Sequence, residues 1–211
     1  MNKDYYEIAG KAFSNSRKGM FWPELKLLEK HVSSSKAVLD VGCGNGRLLD
    51  HISLKTNQYL GVDFSEELLR EARALHPGYV FENHNMISLP FSDGSFDVVC
   101  FIASLHHLRS GHFQVLKNAY RILKSGGILF MMNWNLYRDA PALKTRVVSK
   151  DGHTDWYIPA LGVERYYYGF TVDELDKLLV KAEFIVEMSG LFTDGKEVKN
   201  GNNIVHVAKK N

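Results

Sequence analysis

Short, almost wholly apolar runs alternate along the chain with segments whose apolar positions return every three or four residues. The runs read as buried strands and the periodic segments as helices. KAVLDV, from Lys36 to Val41, predicts a first strand, and Arg47 to Leu54 begins the helix that follows. QYLGVD, from Gln58 to Asp63, predicts a second strand. Ser65 is placed to cap EELLREARAL, where Leu68, Leu69, Ala72 and Leu75 share one helical face. Tyr79 to Glu82 predicts a short third strand. Phe96 to Ile102 (FDVVCFI) predicts a fourth, almost wholly apolar as a strand covered on both faces should be. A helix over Phe113 to Leu123 is expected to stop at Gly126 and Gly127, and ILFMMNW then makes a fifth strand. Thr171 and Glu174 form a capping box ahead of VDELDKLLVKAEF. FIVEMSGLF and NIVHVAKK remain as two strands, joined through TDGKEVKNGN as an antiparallel hairpin.

This alternation predicts an α/β fold with a mostly parallel sheet, in a single domain over residues 1–211. Residues 1–32 read as an N-terminal helical cap. Residues 135–165 are the one long irregular stretch, within a substrate-side insert over 135–170. With 211 residues the chain can bury a core without disulfides or metals. Cys43 and Cys100 each sit in an apolar segment and read as buried residues, and no Cys/His spacing predicts a metal site. A net charge of +2 leaves any nucleic-acid contact to a local patch. The N-terminus has no apolar signal core, and no run approaches the roughly 18 apolar residues of a membrane span. A cytoplasmic protein without membrane contact is expected.

The candidate chemistry begins at VLDVGCGNGRLLD, residues 38–50, where glycines alternate directly after the first strand. A dinucleotide fingerprint would need a third glycine where Arg47 stands, and a Walker loop would need a Gly-Lys-Ser/Thr that is missing. Asp63 ends the second strand with two carboxylate oxygens suited to two ribose hydroxyls. Asp40 lies inside an apolar strand, where burial is costly unless a cation or donors meet it, and an α-ammonium group would do so. A ligand with an amino-acid end at the turn and a ribose at the second strand is S-adenosylmethionine.

Here the chain resembles the class I methyltransferases, whose D-x-G-x-G-x-G turn matches Asp40-Val41-Gly42-Cys43-Gly44-Asn45-Gly46. Asp63, LPFSDGSFDVV and RILKSGGILF follow in the family's order. The resemblance implies a Rossmann-like, seven-stranded sheet with an antiparallel last strand and helices on both faces. It also implies cofactor contacts from Asp40, Gly42, Cys43, Gly44, Asn45, Gly46, Asp63, Phe64, Asn85, Met86 and Ala103. Asn85 stands where this superfamily often has an aspartate for the adenine amino group. Its amide can accept from that group and donate to a ring nitrogen. Met86 would supply an apolar contact to the base, whereas Phe64 suits either the base or the core.

Residues outside that common core bear on the methyl acceptor. FSNSRKGMFWPEL holds Arg17 and Trp22-Pro23, ASLHHL holds His106 and His107, strand five ends in Trp134, and VERYYYGFT holds Arg165 and Tyr166 to Tyr168. Together these resemble the tRNA methyltransferases that esterify 5-carboxymethyluridine at the anticodon wobble position, over nearly the whole chain. On that resemblance Arg17, His106, Trp134, Arg165 and Tyr166 surround the acceptor uridine. A guanidinium suits its carboxylate and an aromatic face a flipped-out base. The resemblance also implies tRNA as partner, with a small zinc-binding activator subunit. Either histidine, or neither, can face the acceptor, Trp134 can pack or stack, and the three tyrosines include at least one core ring. Lys18, Lys144, Arg146 and Lys150 can track an RNA backbone or simply be solvated. Arg17 and Trp22 stand one residue further apart than that family's pattern, and the stretch between strand five and Arg165 is short. A small-molecule O-, N- or carboxyl methyltransferase of the same fold is the first rival reading. A non-catalytic cofactor-binding subunit is the second, against which the intact Asp40, Asp63 and glycines speak.

Overall fold

A computed structural model describes residues 22–52, 56, 58–138, 145–148, 154–160 and 163–211. Eight strands form the main sheet. In chain order they are β1 (Val38–Val41), β2 (Tyr59–Asp63), β3 (Val80–Asn83), β4 (Phe96–Ile102), β5 (Leu123–Trp134), β9 (Ile185–Thr193), β10 (Lys196–Glu197) and β11 (Asn203–Lys209). Across the sheet the order is β10-β9-β11-β5-β4-β1-β2-β3. β3, β2, β1, β4 and β5 run parallel, and β11 enters antiparallel between β5 and β9. This is the expected class I fold, Rossmann-like with a mostly parallel sheet. Its seven expected strands gain a two-residue eighth, β10, which folds back onto β9 within the expected hairpin.

The helices are α1 (Lys26–Glu29), α2 (Leu49–Ile52), α3 (Glu66–Leu75), α4 (His112–Ile122) and α5 (Val172–Lys181). Each sheet face has its own core. Leu39, Val99, Phe101, Leu129 and Met131 meet Leu116 of α4 and Leu175 and Leu179 of α5. Val38, Val98, Cys100, Phe130 and Met132 meet Leu28, Leu49 and Leu69 on the other side. β1 is buried at all four positions, which is why it reads as an apolar run broken only by Asp40.

Ser65 caps α3 as expected, its Oγ accepting from Leu68 N at 3.3 Å. Leu68, Leu69 and Ala72 are buried, but Leu75 is 46% exposed, because the last turn of α3 runs past the sheet edge. Only half of the predicted capping box forms at α5. Thr171 Oγ1 accepts from Glu174 N at 3.2 Å, while the Glu174 carboxylate accepts from Tyr168 Oη instead of returning to the cap. α4 ends before its expected glycine stop. Gly126, at φ +74°, instead bends the start of β5, where the β4 register also shifts.

The stretch over 135–165 is the largest departure from expectation. It contains a separate antiparallel sheet of β6 (Thr145–Val148), β7 (Thr154–Ala160) and β8 (Val163–Tyr168), in the order β6-β7-β8. Residues 1–21, within the predicted N-terminal cap, lie outside the described residues, as does Leu54. Pro23–Leu25 form a 3-10 turn that leads into α1. No described helix is long and apolar enough to cross a membrane, and no described cluster of His, Cys, Asp or Glu could hold a metal ion.

Candidate active site

The site lies at the carboxyl ends of β1, β2, β4 and β5, the edge where open α/β sheets take their ligands. A cleft of about 780 Å³ opens there, and its lining divides into two parts.

The first part begins where β1 ends. Gly42, at φ +74°, donates to Val62 O at 2.7 Å, so the turn is tied to β2. A Cβ at Gly42 would lie 2.5 Å from Ser104 Cβ, so no other residue fits this approach. Ser104 Oγ in turn donates to Val41 O at 2.6 Å, clamping the turn from the β4 side. Gly44 N donates to Asp63 Oδ2 at 3.0 Å, and Ser65 N to Asp63 Oδ1 at 2.9 Å. Both Asp63 oxygens therefore support the backbone, on a residue that also lines the cleft. Burial pushes the Asp63 carboxyl up to about 6 despite these donors.

Asp40 is 2% exposed. Its Oδ2 accepts from Tyr59 Oη at 2.9 Å, while Oδ1 has no hydrogen-bond partner among the described residues. Burial pushes this carboxyl up to about 7. An orphaned buried carboxylate oxygen on a cleft wall fits the ammonium of an amino-acid ligand. Phe64, Leu68, Met86 and Ile102 add an apolar wall suited to a purine.

Of the residues expected at the cofactor, Asp40, Gly42, Cys43, Gly44, Asn45, Asp63, Phe64, Met86 and Ala103 line the cleft. Gly46 and Asn85 do not. Gly46 packs against His76 and Phe81, where its missing Cβ would come within 3.0 Å of both rings. Asn85 is exposed, and its Oδ1 accepts from Ile87 N at 3.0 Å, so the amide closes a local turn. The left-handed Ala103, φ +52°, carries the chain from β4 to Ser104.

The second part of the lining comes from Trp134, Arg165, Tyr167 and His107, with Trp22 and Arg47 at its edge. Trp134 and Tyr167 stack at 5.1 Å between ring centres and 18° between planes. The Arg165 guanidinium lies 5.3 Å from the Tyr167 ring centre, and that residue is only 5% exposed. The Arg47 guanidinium lies 3.6 Å over the Trp22 ring. His107 Nδ1 lies 3.2 Å from Tyr166 O, and a carbonyl only accepts, so the proton is on Nδ1 and a lone pair on Nε2. Burial and the Arg165 charge push His107 down to about 3.

His106 and Tyr166 depart from expectation. His106 is 1% exposed, off the wall, and its Nδ1 accepts from Trp134 N at 3.3 Å. Burial, with His107 and Arg165 nearby, holds its pKa well below the usual histidine value. In β8 successive side chains alternate faces. Arg165 and Tyr167 turn to the cleft, whereas Tyr166 and Tyr168 turn into the main core. Tyr166 Oη donates to Asp155 at 2.7 Å, away from the wall. The wall positions thus fall to His107 and Tyr167. Register explains this, and strict alternation about Arg165 was the signal available in the sequence. Arg17, Lys18, Lys144 and Lys150 lie outside the described residues, as does the Arg146 side chain.

Residues 39–131 match the family model described as a methyltransferase domain. The chain carries an S-adenosylmethionine-dependent methyltransferase domain. A methyltransferase relative from Encephalitozoon cuniculi is 28% identical over 86% of each chain. The tRNA (carboxymethyluridine(34)-5-O)-methyltransferase of Saccharomyces cerevisiae is 30% identical over 64% of this chain and 48% of its own. The 27-O-demethylrifamycin SV methyltransferase of Amycolatopsis mediterranei is 33% identical over 54% of this chain and 46% of its own. The chain thus spans about half the length of these last two relatives. Among solved structures, the methyltransferase in complex with the Trm112 methyltransferase activator of Haloferax volcanii has the same fold. Its TM-score is 0.74, with 18% identity over 99% of this chain and 97% of that one.

Proposed function

We propose that the protein methylates the carboxylate of 5-carboxymethyluridine at the tRNA wobble position, giving a methyl ester. The observation that carries this reading is the Arg165 guanidinium on the cleft wall, beside the stacked Trp134 and Tyr167 rings. A guanidinium orients a carboxylate through two parallel N–H donors, and stacked aromatic rings suit a flipped-out pyrimidine. When bound, S-adenosylmethionine supplies a methyl carbon on a sulfonium, open to in-line displacement by a carboxylate oxygen.

The chain's part is alignment. Asp40 meets the ammonium end, Asp63 the ribose, and Arg165 aims the acceptor oxygen while the aromatic walls keep water out. An ionised carboxylate has no proton to lose. That agrees with His107, whose pKa of about 3 makes it a weak base at neutral pH. His106 supports the backbone of Trp134, and Arg17 belongs to the same acceptor set by resemblance. The Saccharomyces relative adds support through the acceptor its name states. With that acceptor go tRNA as partner, a small zinc-binding activator subunit and a cytoplasmic location.

The test is Arg165→Ala, assayed for methyl transfer to bulk tRNA with any activator co-expressed. Transfer is expected to fall more than about a hundredfold, with cofactor affinity kept within about threefold. Wild-type transfer should also weaken as salt rises. Parallel loss of cofactor binding in Arg165→Ala would overturn the division of roles. Wild-type transfer to a metabolite fraction but not to RNA would favour a small-molecule acceptor, such as the rifamycin-type relative's name describes.

A further inference from the structure

We propose that Tyr59 is a positioning residue for the cofactor, its hydroxyl holding the Asp40 carboxylate so that Oδ1 faces the ammonium of S-adenosylmethionine. The inference rests on the cofactor part of the cleft and is independent of the acceptor.

Tyr59 opens β2 and is 4% exposed. The β1–β2 register pairs Val38 with Tyr59 and Asp40 with Gly61, so Tyr59 and Asp40 are diagonal neighbours on one sheet face. Gly61, directly opposite Asp40, has no side chain to stand between them, and Phe81 and Cys43 crowd the place a Cβ would take. The phenol is held edge-on by Tyr79 at 5.8 Å and Phe81 at 5.9 Å, so its hydroxyl has one direction to point. That direction ends 2.9 Å from Asp40 Oδ2. One carboxylate oxygen is thereby anchored, and the other is left buried and without a hydrogen-bond partner, in a residue that lines the cleft.

The hydroxyl also decides the charge that the cofactor meets. Tyr59 from β2 and Arg47 from the turn favour the ionised form of Asp40, while burial and Asp63 at the end of β2 oppose it. The Cys43 thiol of the turn and the Cys100 thiol of β4 face the same group. Both are pushed well up and stay neutral. Tyr59 itself is pushed well above the usual phenol value, so it remains a donor. Without that donor the Asp40 carboxyl takes up a proton at higher pH, and a neutral carboxyl no longer pairs with an ammonium. Tyr59 therefore sets the lower pH limit of cofactor binding.

The test uses S-adenosylhomocysteine, titrated from about pH 6 to about pH 8.5, with the titration of the ligand's own ammonium measured alone and divided out. Wild-type Kd is expected to rise about tenfold per pH unit below a bend near pH 7. In Tyr59→Phe the bend should move up by about one unit. Asp40→Asn should bind weakly with no bend. Tyr79→Phe, which removes a neighbouring hydroxyl from the same cluster, should keep the wild-type bend. A Tyr59→Phe bend at the wild-type pH, with or without a uniform rise in Kd, overturns the proposal. Should Tyr59→Phe fail to fold, 3-fluorotyrosine at position 59 offers a stronger donor on the same ring. It must move the bend to lower pH, and an unmoved bend again overturns the proposal.

Discussion

The two parts of the cleft are made of different materials. The cofactor part is mostly backbone: a turn tied to β2 through Gly42, clamped by Ser104 and supported by Asp63, all near the ends of adjacent parallel strands. The part proposed for the acceptor is mostly side chain, with Trp134, Arg165, Tyr167 and His107 donated by segments far apart in the chain. A backbone site depends on spacing and on glycines. A side-chain site depends on register and on which face each residue takes.

The sharpest way to break that contrast lies at the glycines. Gly42→Ala adds a Cβ against Ser104 and forces a left-handed backbone on alanine, and should cost about 3 kcal/mol or more. Gly44→Ala meets only Leu68, 4.0 Å away, so the backbone term alone remains, about 1 kcal/mol. Thermal or urea unfolding of the two variants checks the ranking, and equal losses would mean that the turn is not clamped as described.

Asp40→Asn separates binding from stability in the cofactor part. Loss of the carboxylate should weaken cofactor binding by about a hundredfold. The same change should stabilise the cofactor-free protein at pH above about 7. Burial raises the Asp40 carboxyl from 3.8 to about 7, so its contribution is full below the lower value and is lost as pH rises through the higher. The gain in melting temperature over wild type should therefore shrink as pH falls toward 4. A gain that grows on acidification would contradict the assigned cause.

The smallest effect is expected at His107. His107→Gln keeps a donor toward Tyr166 O but removes the imidazole, and should lower methyl transfer by less than about tenfold, since a carboxylate needs no base. A loss beyond about a hundredfold, measured at saturating cofactor, would assign His107 a proton and the acceptor an O–H or N–H group.

This difference in materials also governs how much was legible beforehand. The strand positions, the Ser65 cap and the Asp40–Gly46 turn follow from short-range patterns, because apolar runs and glycine spacing mark buried strands and tight turns locally. The acceptor wall does not. Tyr166 and Tyr167 are indistinguishable by composition, and only once β8 is known to be a strand does its alternation put Tyr167 on the face of Arg165. His106 and His107 divide in the same way on a 3-10 turn, Leu105–His107, that no periodicity foretells. The β6–β8 sheet reads as an irregular stretch in the sequence because its strands are short and charged residues interrupt their alternation. Asn85 lies off the cleft lining for a different reason, since its amide oxygen accepts from Ile87 N within its own turn.

The measurement that tests the central claim most directly is the fate of labelled methyl transferred to bulk tRNA. The account predicts label that RNase solubilises and that mild alkali releases as methanol, the behaviour of a methyl ester on RNA. Label that remains on nucleotides after alkali would place the methyl group on nitrogen, carbon or ribose, and would contradict a carboxylate acceptor.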